Sequence, residues 1–201
     1  MAEVVDVLIC GSGSAGICAA TWLARCGVRC KIIDSRSEPL QIGQADGVQC
    51  RTVEIFESFG VADELLRDSY HVLEVCFWSS ANEGGPIFRT RHAADTAPGL
   101  SHQPHVILNQ AKVNGILLNA MRCFNGQEVE YGYNVTNVEV DSIAAAQSPE
   151  SHCVTVTTMK DGQENKIRAR YVLVSHILYR SGVILTNYRA ATALIAQCVG
   201  L

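Results

Sequence analysis

The stretch Asp6-Val7-Leu8-Ile9-Cys10-Gly11-Ser12-Gly13-Ser14-Ala15-Gly16 decides how this chain folds. The apolar run 4–10 predicts a buried strand of a parallel sheet, because apolar residues occupy both of its faces. Three glycines follow at the G-x-G-x-x-G spacing, and a helix is predicted over 14–26. The first glycine permits a tight turn, the second lets a pyrophosphate approach the backbone, and the third lets the helix pack closely against the strand.

A second strand, predicted over 30–33, ends at Asp34, whose carboxylate can accept hydrogen bonds from the hydroxyls of an adenosine ribose. The N-terminal amides and the positive dipole end of the predicted helix would face the phosphates. Strand, turn, helix and acid together indicate dinucleotide binding and leave NAD and FAD both open. The alternative is a glycine-rich turn in an α/β unit that binds no nucleotide.

The composition is that of a core-forming globular chain. With 201 residues, 48% of them hydrophobic and 18% charged, one domain or a domain and a half is expected. The net charge of -4 gives no electrostatic reason to expect nucleic acid or an anionic membrane as a partner. A secretory leader has a basic segment followed by an apolar one, and the acidic residues Glu3 and Asp6 do not fit that pattern. Nine scattered cysteines without a C-x-x-C pair indicate thiols in a reducing compartment, so a cytoplasmic location is expected and no metal site is predicted.

The middle of the chain predicts helices separated by short strands. A helix over 51–59 has Gly60 at its left-handed C-terminal position. Strands are predicted over 72–78 and 87–90, and a polar loop over 91–104. The histidines in and just after this loop are expected to be solvated rather than to bind a metal: His92, His102 and His105.

In the last third of the chain, the sequence predicts strands over 133–141, 152–159 and 166–174. Lys160-Asp161-Gly162 is a hairpin signal between the second and the third. Three consecutive antiparallel strands are therefore expected. Such a meander after the first βαβ unit is typical of flavoprotein domains, whereas an ordinary NAD dehydrogenase would continue strand–helix–strand.

Over roughly residues 4–174 the chain resembles the FAD-dependent aromatic hydroxylases, most closely the phenol 2-monooxygenase branch. Besides the glycine-rich stretch, four segments carry the resemblance: Ile32-Ile33-Asp34-Ser35-Arg36, Gly43-Gln44-Ala45-Asp46-Gly47-Val48-Gln49, Arg51-Thr52-Val53-Glu54-Ile55-Phe56 and Leu108-Asn109-Gln110. The resemblance implies an α/β fold: a glutathione-reductase-like FAD-binding Rossmann domain with a β-meander and part of an interleaved substrate domain. Relative to the family, this arrangement is expected to be truncated. We therefore expect an FAD-binding domain over 1–174, a partial substrate-domain insert at about 71–108, and a divergent tail over 175–201.

The resemblance also implies roles for single residues. Asp34 would hold the adenosine ribose, with Ser35 and Arg36 near the adenosine half, and Gln110 would contact the ribityl or pyrophosphate portion. Arg51 either offsets phosphate charge or is a solvated first-turn arginine. The residues expected to cradle the pyrophosphate are Gly11, Gly13, Ser14, Ala15 and Gly16, and those expected to run along the flavin are Gln44, Ala45, Asp46, Gly47 and Val48.

The chemistry implied by the family is hydroxylation of a phenol. NADPH transiently reduces the bound FAD, and O2 then supplies the oxygen that enters the ring next to the phenolic hydroxyl. A base that withdraws the phenolic proton helps this step, and Asp46 is the expected catalytic residue; its alternative is a turn aspartate before Gly47. A small phenolic substrate and O2 are the implied partners, and full-length relatives are expected to be homodimers.

The resemblance ends after Val174. There the family expects a glycine-cysteine-aspartate-glycine segment, but this chain continues Ser175-His176-Ile177-Leu178. Arg180 and Arg189 interrupt the apolar tail, so a membrane span is not expected. A truncated and catalytically impaired monooxygenase is the favoured interpretation. The alternatives are a non-catalytic FAD-binding remnant and a small NAD(P)-linked oxidoreductase, which the meander and the lack of a Tyr-x-x-x-Lys pair disfavour.

Overall fold

The computed structural model describes residues 2–43 and 45–175, together with the backbone of residues 184–186 and 193–194. The predicted site residue Gln44 and most of the predicted tail lie outside the described residues. The chain divides into two compact units, a first unit of Met1–Gln41 with Leu117–Leu201 and a second unit of Ile42–Ile116. The insert predicted at about 71–108 falls within the second unit.

Helices and strands alternate through most of the chain. The elements, in chain order, are β1 (Glu3–Cys10), α1 (Ser14–Arg25), β2 (Lys31–Asp34), β3 (Gly47–Val48), α2 (Cys50–Phe59), α3 (Ala62–Asp68), β4 (Tyr70–Val72), β5 (Glu74–Ser80), β6 (Ile87–Ala94), β7 (His105–Ile107), α4 (Gln110–Asn125), β8 (Val129–Tyr131), β9 (Asn134–Val140), α5 (Ser142–Gln147), β10 (Val154–Lys160), β11 (Gln163–Val174), β12 (Ile184–Thr186) and β13 (Ala193–Leu194). The helices predicted over 14–26 and 51–59 are found as α1 and α2. In the part of the chain that the structure describes, no helix is long and apolar enough to cross a membrane.

The first unit is built on an eight-stranded sheet with the order β12-β9-β10-β11-β1-β2-β8 and with β13 beside β11. β1 lies between β2 and β11 and is parallel to both. Its carboxyl half, 8–10, is buried as predicted. The prediction is wrong for its amino half, where Val4 is 56% exposed. The reason is that β2 is short and pairs with β1 only from Leu8 onward.

The predicted antiparallel meander is confirmed. β10 pairs antiparallel with both β9 and β11. In the turn between β10 and β11, Asp161 has φ 51° and Gly162 has φ 75°, as the predicted two-residue hairpin requires. β11 then continues beyond β10 and pairs in parallel with β1. One strand therefore joins the meander to the parallel part of the sheet.

A shared hydrophobic core stabilises this arrangement. Side chains from the meander and from the parallel strands pack together in one buried cluster. Its members include Leu8, Cys10, Ile33, Val138, Val154, Val156, Ile167 and Val172. Because the same cluster covers both parts of the sheet, the glycine-rich turn that follows β1 is anchored on a rigid layer.

The second unit contains α2, α3, a three-stranded sheet and a two-stranded ribbon. The sheet has the order β3-β7-β4 with antiparallel pairs, and β5 pairs with β6. α2 ends at Gly60 with φ 80°, as predicted. Val53 and Phe56 of α2 are buried, as is Val106 of β7, against which α2 packs.

The polar loop predicted over 91–104 begins later than expected. β6 extends to Ala94, because His92 pairs with Cys76 across the ribbon. His92 and His102 are exposed, as predicted. The prediction is wrong for His105, whose side chain is only 15% exposed, since His105 begins the central strand of the three-stranded sheet rather than belonging to a loop.

Replacing Gly16 with alanine is expected to destabilise the chain. A Cβ at this position would overlap the carbonyl oxygen of Gly11 and lie 2.5 Å from Oγ of Ser175, so α1 would have to move away from β1. We expect the free energy of unfolding to fall by about 3 kcal/mol, as for an overpacked core position, in urea denaturation. Gly115→Ala is the matched control, because a Cβ there meets no described atom within 4 Å outside its own helix backbone and alanine favours a helix by up to about 1 kcal/mol. Equal losses in the two variants would contradict the close-approach argument.

Candidate cofactor site

The turn after β1 brings β1, α1 and β2 together. Gly11 has φ 109°, a conformation that favours glycine, and its N–H donates a 2.8 Å hydrogen bond to the carbonyl oxygen of Ile33. Any side chain at Gly16 would collide with the Gly11 carbonyl. The first and third glycines therefore have the turn-forming and close-packing functions that their spacing predicts.

At Gly13, neither the backbone conformation nor a close contact requires glycine. It precedes the first turn of α1 with φ -70°, which any residue adopts, and no described atom lies within 4 Å of a Cβ built there. It offers no side chain to the first-turn amides, and that turn contains no acidic residue. No described atom therefore lies near a Cβ at position 13, at the positive end of α1, and a helix end of this kind suits a phosphate group.

The carboxylate of Asp34 is the centre of a hydrogen-bond cluster beside this turn. One oxygen, Oδ2, accepts from the backbone N of Ser12 at 2.6 Å, from its Oγ at 2.9 Å and from Nη2 of Arg36 at 3.0 Å. The other, Oδ1, accepts from N and Nε of Arg36 at 2.8 and 3.0 Å. The Asp34 side chain is only 7% exposed. The end of β2 is thereby tied to the glycine-rich turn.

These contacts determine the charge of the cluster. Burial by itself would raise the pKa of Asp34, but hydrogen bonds from Arg36 and from the Ser12 amide outweigh it and hold the pKa well below its usual range. The hydrogen bond to Asp34 in turn raises the pKa of Arg36. A carboxylate has about four lone-pair positions, and five donors already surround this one. An adenosine ribose could donate to Asp34 only after one of them turned away.

Two members of this cluster, Ser12 and Tyr131, are not predicted from the sequence. Ser12 is buried, and a hydrogen bond joins its side chain to Tyr131, whose pKa is raised chiefly by burial. Tyr131 is the residue of β8 that pairs with Asp34. The position of Ser12 between two glycines of the motif could have indicated it. No local pattern indicates Tyr131, because only the sheet brings it there.

The remaining predicted cofactor residues lie in the second unit. The loop before β3 packs against the start of α4, where a Cβ at Gly43 would overlap Gln110. Asn109 caps this helix, since its Oδ1 accepts a 3.0 Å hydrogen bond from the N–H of Ala111. Gln110 is thus held beside Gly43.

Within that loop the predicted residues differ in accessibility. Ala45, Asp46 and Gly47 are exposed. The carbonyl oxygen of Asp46 accepts a 2.8 Å hydrogen bond from the N–H of Leu108. Its carboxylate takes part in no hydrogen bond with the described residues. Val48 is buried, so it could present only its backbone to a ligand.

Arg51 adopts the arrangement expected of a solvated first-turn arginine. Its side chain is 82% exposed and forms a 2.7 Å ion pair with Glu54. Such an exposed pair contributes little to stability, typically less than about 1 kcal/mol. The phosphate role considered for Arg51 stays a prediction.

Comparison with known proteins identifies the class. The family described as FAD binding domain matches residues 4–174. The chain is 57% identical to FAD-dependent monooxygenase terD of Aspergillus terreus over 177 residues, which are 87% of this chain and 29% of that protein. It is 40% identical to 3-hydroxybenzoate 4-monooxygenase of Comamonas testosteroni (84% of this chain, 27% of that protein), and 30% identical to phenol 2-monooxygenase fsqG of Aspergillus fumigatus (84% and 27%).

Solved structures show the same fold. The flavin-dependent monooxygenase PieE, in complex with FAD and substrate, has a TM-score of 0.69 at 23% identity, over 85% of this chain and 30% of that one. Aklavinone-11 hydroxylase, in a ternary complex with FAD and aklavinone, has a TM-score of 0.66 at 25% identity, over 84% of this chain and 32% of that one. The chain belongs to the FAD-binding domain family of the FAD-dependent monooxygenases, which confirms the predicted relationship and fold class. It spans less than a third of the length of these relatives.

Replacing Asp34 with asparagine is expected to lower the free energy of unfolding by about 2 kcal/mol near pH 7, because buried donors lose their charged acceptor. The folded-state pKa of Asp34 lies below the unfolded value, which is about 3.9. The carboxylate therefore stabilises the fold above about pH 4, and its contribution is lost as the pH falls below that value. Urea denaturation should show the difference between wild type and variant shrinking in that acid range.

The control for this prediction is Glu164→Gln, since Glu164 lies exposed at the start of β11 in the same unit. This variant should follow the wild type at every pH. A deficit in Asp34→Asn that stayed constant through the acid range would mean that the carboxylate charge does not hold the cluster together.

Proposed function

We propose that this chain binds FAD as part of a monooxygenase that hydroxylates a phenolic substrate with NADPH and O2. The observation that carries the proposal is the positive end of α1 beside the glycine-rich turn and the Asp34 cluster. Together they offer amides for a pyrophosphate and a carboxylate for a ribose. FAD binding is the part of this function that the described residues themselves support most directly.

The substrate class is supported by what the relatives are named for. One acts on 3-hydroxybenzoate and another on phenol, so a small phenol is proposed for the protein to which this chain corresponds. When bound, FAD supplies the redox chemistry that brings electrons from NADPH to O2. We further propose a cytoplasmic protein without a nucleic-acid or membrane partner, and a homodimer for its full-length relatives.

The proposed roles follow from position. The backbone at 11–16 binds the pyrophosphate, and Asp34 holds the adenosine ribose after rotation of the partly exposed Arg36, with Ser35 nearby. In the second unit, Gln110 and the loop 44–48 bind toward the flavin. Asp46, whose carboxylate is exposed and uncommitted to any described hydrogen bond, withdraws the phenolic proton.

The absorption spectrum of the purified protein tests the cofactor proposal. Protein expressed and purified with FAD supplied should show the visible flavin bands, and these should persist after gel filtration. A spectrum without flavin bands would overturn the proposal. NADPH oxidation stimulated by a phenol would extend it to hydroxylation, whereas oxidation at background despite bound FAD would limit the function of this chain to FAD binding.

Gly13→Ala is expected to weaken FAD binding without a comparable loss of stability. Its Cβ meets no described atom, so the free energy of unfolding should change by less than about 1 kcal/mol, the range for a cap position. The same Cβ enters the space proposed for the pyrophosphate, and the Kd for FAD should rise at least about tenfold, or 1.4 kcal/mol. Flavin fluorescence titration measures this, with Gly115→Ala as the matched control. An unchanged Kd in Gly13→Ala would place the phosphates elsewhere.

A further inference from the structure

A histidine–aspartate pair lies in the second unit, outside the residues assigned to FAD. Nδ1 of His105 is 3.1 Å from Oδ2 of Asp95, and both side chains are largely buried. Because the carboxylate can only accept, Nδ1 donates, which leaves the lone pair of a neutral imidazole on Nε2. Nε2 is buried and has no hydrogen-bond partner among the described residues. A buried ring nitrogen without a partner is costly unless a ligand satisfies it.

Gly47 lies directly against this nitrogen. A Cβ at position 47 would be 3.3 Å from Nε2 of His105, closer than side chains normally pack. The backbone of Gly47 is not in the left-handed region, so its conformation does not require glycine. Glycine at this position keeps a side chain away from the imidazole, in the same motif that contains Asp46.

The register of the three-stranded sheet places this nitrogen on a particular face. Tyr70 pairs with Ile107, and Gly47 pairs with Ile107 from the other side. Since side chains alternate along a strand, His105, Ile107 and Tyr70 share one face, and Val106 lies on the opposite, buried one. Tyr70 and Ile107 are exposed. The face therefore has an exposed aromatic and aliphatic surface, and the unpartnered Nε2 of His105 lies buried on the same side of the strand.

We propose that His105, held by Asp95, contacts the phenolic substrate and accepts the proton of its hydroxyl. The proton passes from the phenol oxygen to Nε2 and gives a phenolate and an imidazolium, whose charge the Asp95 carboxylate balances; no electrons are exchanged. The inference rests on the proposed phenol-hydroxylating function and deepens it. His105 becomes a second proton acceptor besides Asp46, and a phenolate is the electron-rich form that hydroxylation needs.

Titration with 4-nitrophenol tests the inference on the whole chain, because its phenolate has a distinct absorption band. Difference spectra with and without FAD should show the wild type raising the phenolate-to-phenol ratio of the bound probe about tenfold, one unit in the probe's pKa. His105→Asn keeps a donor near the Nδ1 position, for the contact with Asp95, and removes Nε2. It should bind the probe more weakly and lose the shift. His71→Asn is the control, since His71 lies on the neighbouring strand with its Nε2 2.9 Å from the carbonyl oxygen of Leu66, and should keep the shift.

Gly47→Ala gives a second test that leaves the histidine intact. The added methyl group would lie 3.3 Å from Nε2 and block a ligand from reaching it. This variant should also lose the shift. Retention of the shift in His105→Asn would overturn the inference, and its loss in Asp46→Asn alone would assign the proton to Asp46. Failure of the wild type to bind 4-nitrophenol would overturn it as well. The flavin bands in the same samples report FAD binding separately, so failure of the proposed cofactor function is distinguished from failure at His105.

Discussion

The carboxylate of Asp34 joins the end of β2 to the glycine-rich turn, and the geometry of the candidate cofactor site depends on this connection. The amide of Ser12 and the side chain of Arg36 both donate to it, while the backbone carbonyl of Asp34 accepts from Tyr133 at 2.9 Å. One residue thus holds the turn, the following loop and the start of the meander in register. Because the group is buried and charged, it remains favourable only while these donors surround it.

The same physical constraint, a buried polar group that needs hydrogen-bond partners, distinguishes the Asp34 cluster from the His105–Asp95 pair. At Asp34 the donors of Ser12 and Arg36 already surround the carboxylate, so a ribose must displace one of them. At His105 the chain supplies a partner for one ring nitrogen only. A satisfied cluster must release one donor before it can contact a ligand, whereas a half-satisfied pair can take a ligand as its missing partner.

Local sequence predicted those features that depend on local chemistry. The hairpin at Asp161 and Gly162, the end of α2 at Gly60 and the turn at Gly11 all require left-handed backbone conformations, and the residues that tolerate them are visible in the sequence. Predictions that depended on neighbours distant in the chain were less secure. Val4 is exposed because β2 is short, and the side chain of His105 is largely buried because its strand is central in a sheet that no local pattern reveals.

The pattern of strand, glycine turn, helix, acid and meander was sufficient to indicate an FAD-binding α/β domain, because each part follows from backbone sterics and from the alternation of apolar residues. Only the tertiary structure decided which groups meet. It brought Ser12 to the Asp34 carboxylate and Tyr131 to Ser12, and it placed His105 against Gly47. These contacts depend on pairing between segments far apart in the chain, and the geometry of such pairing is not encoded in any single segment.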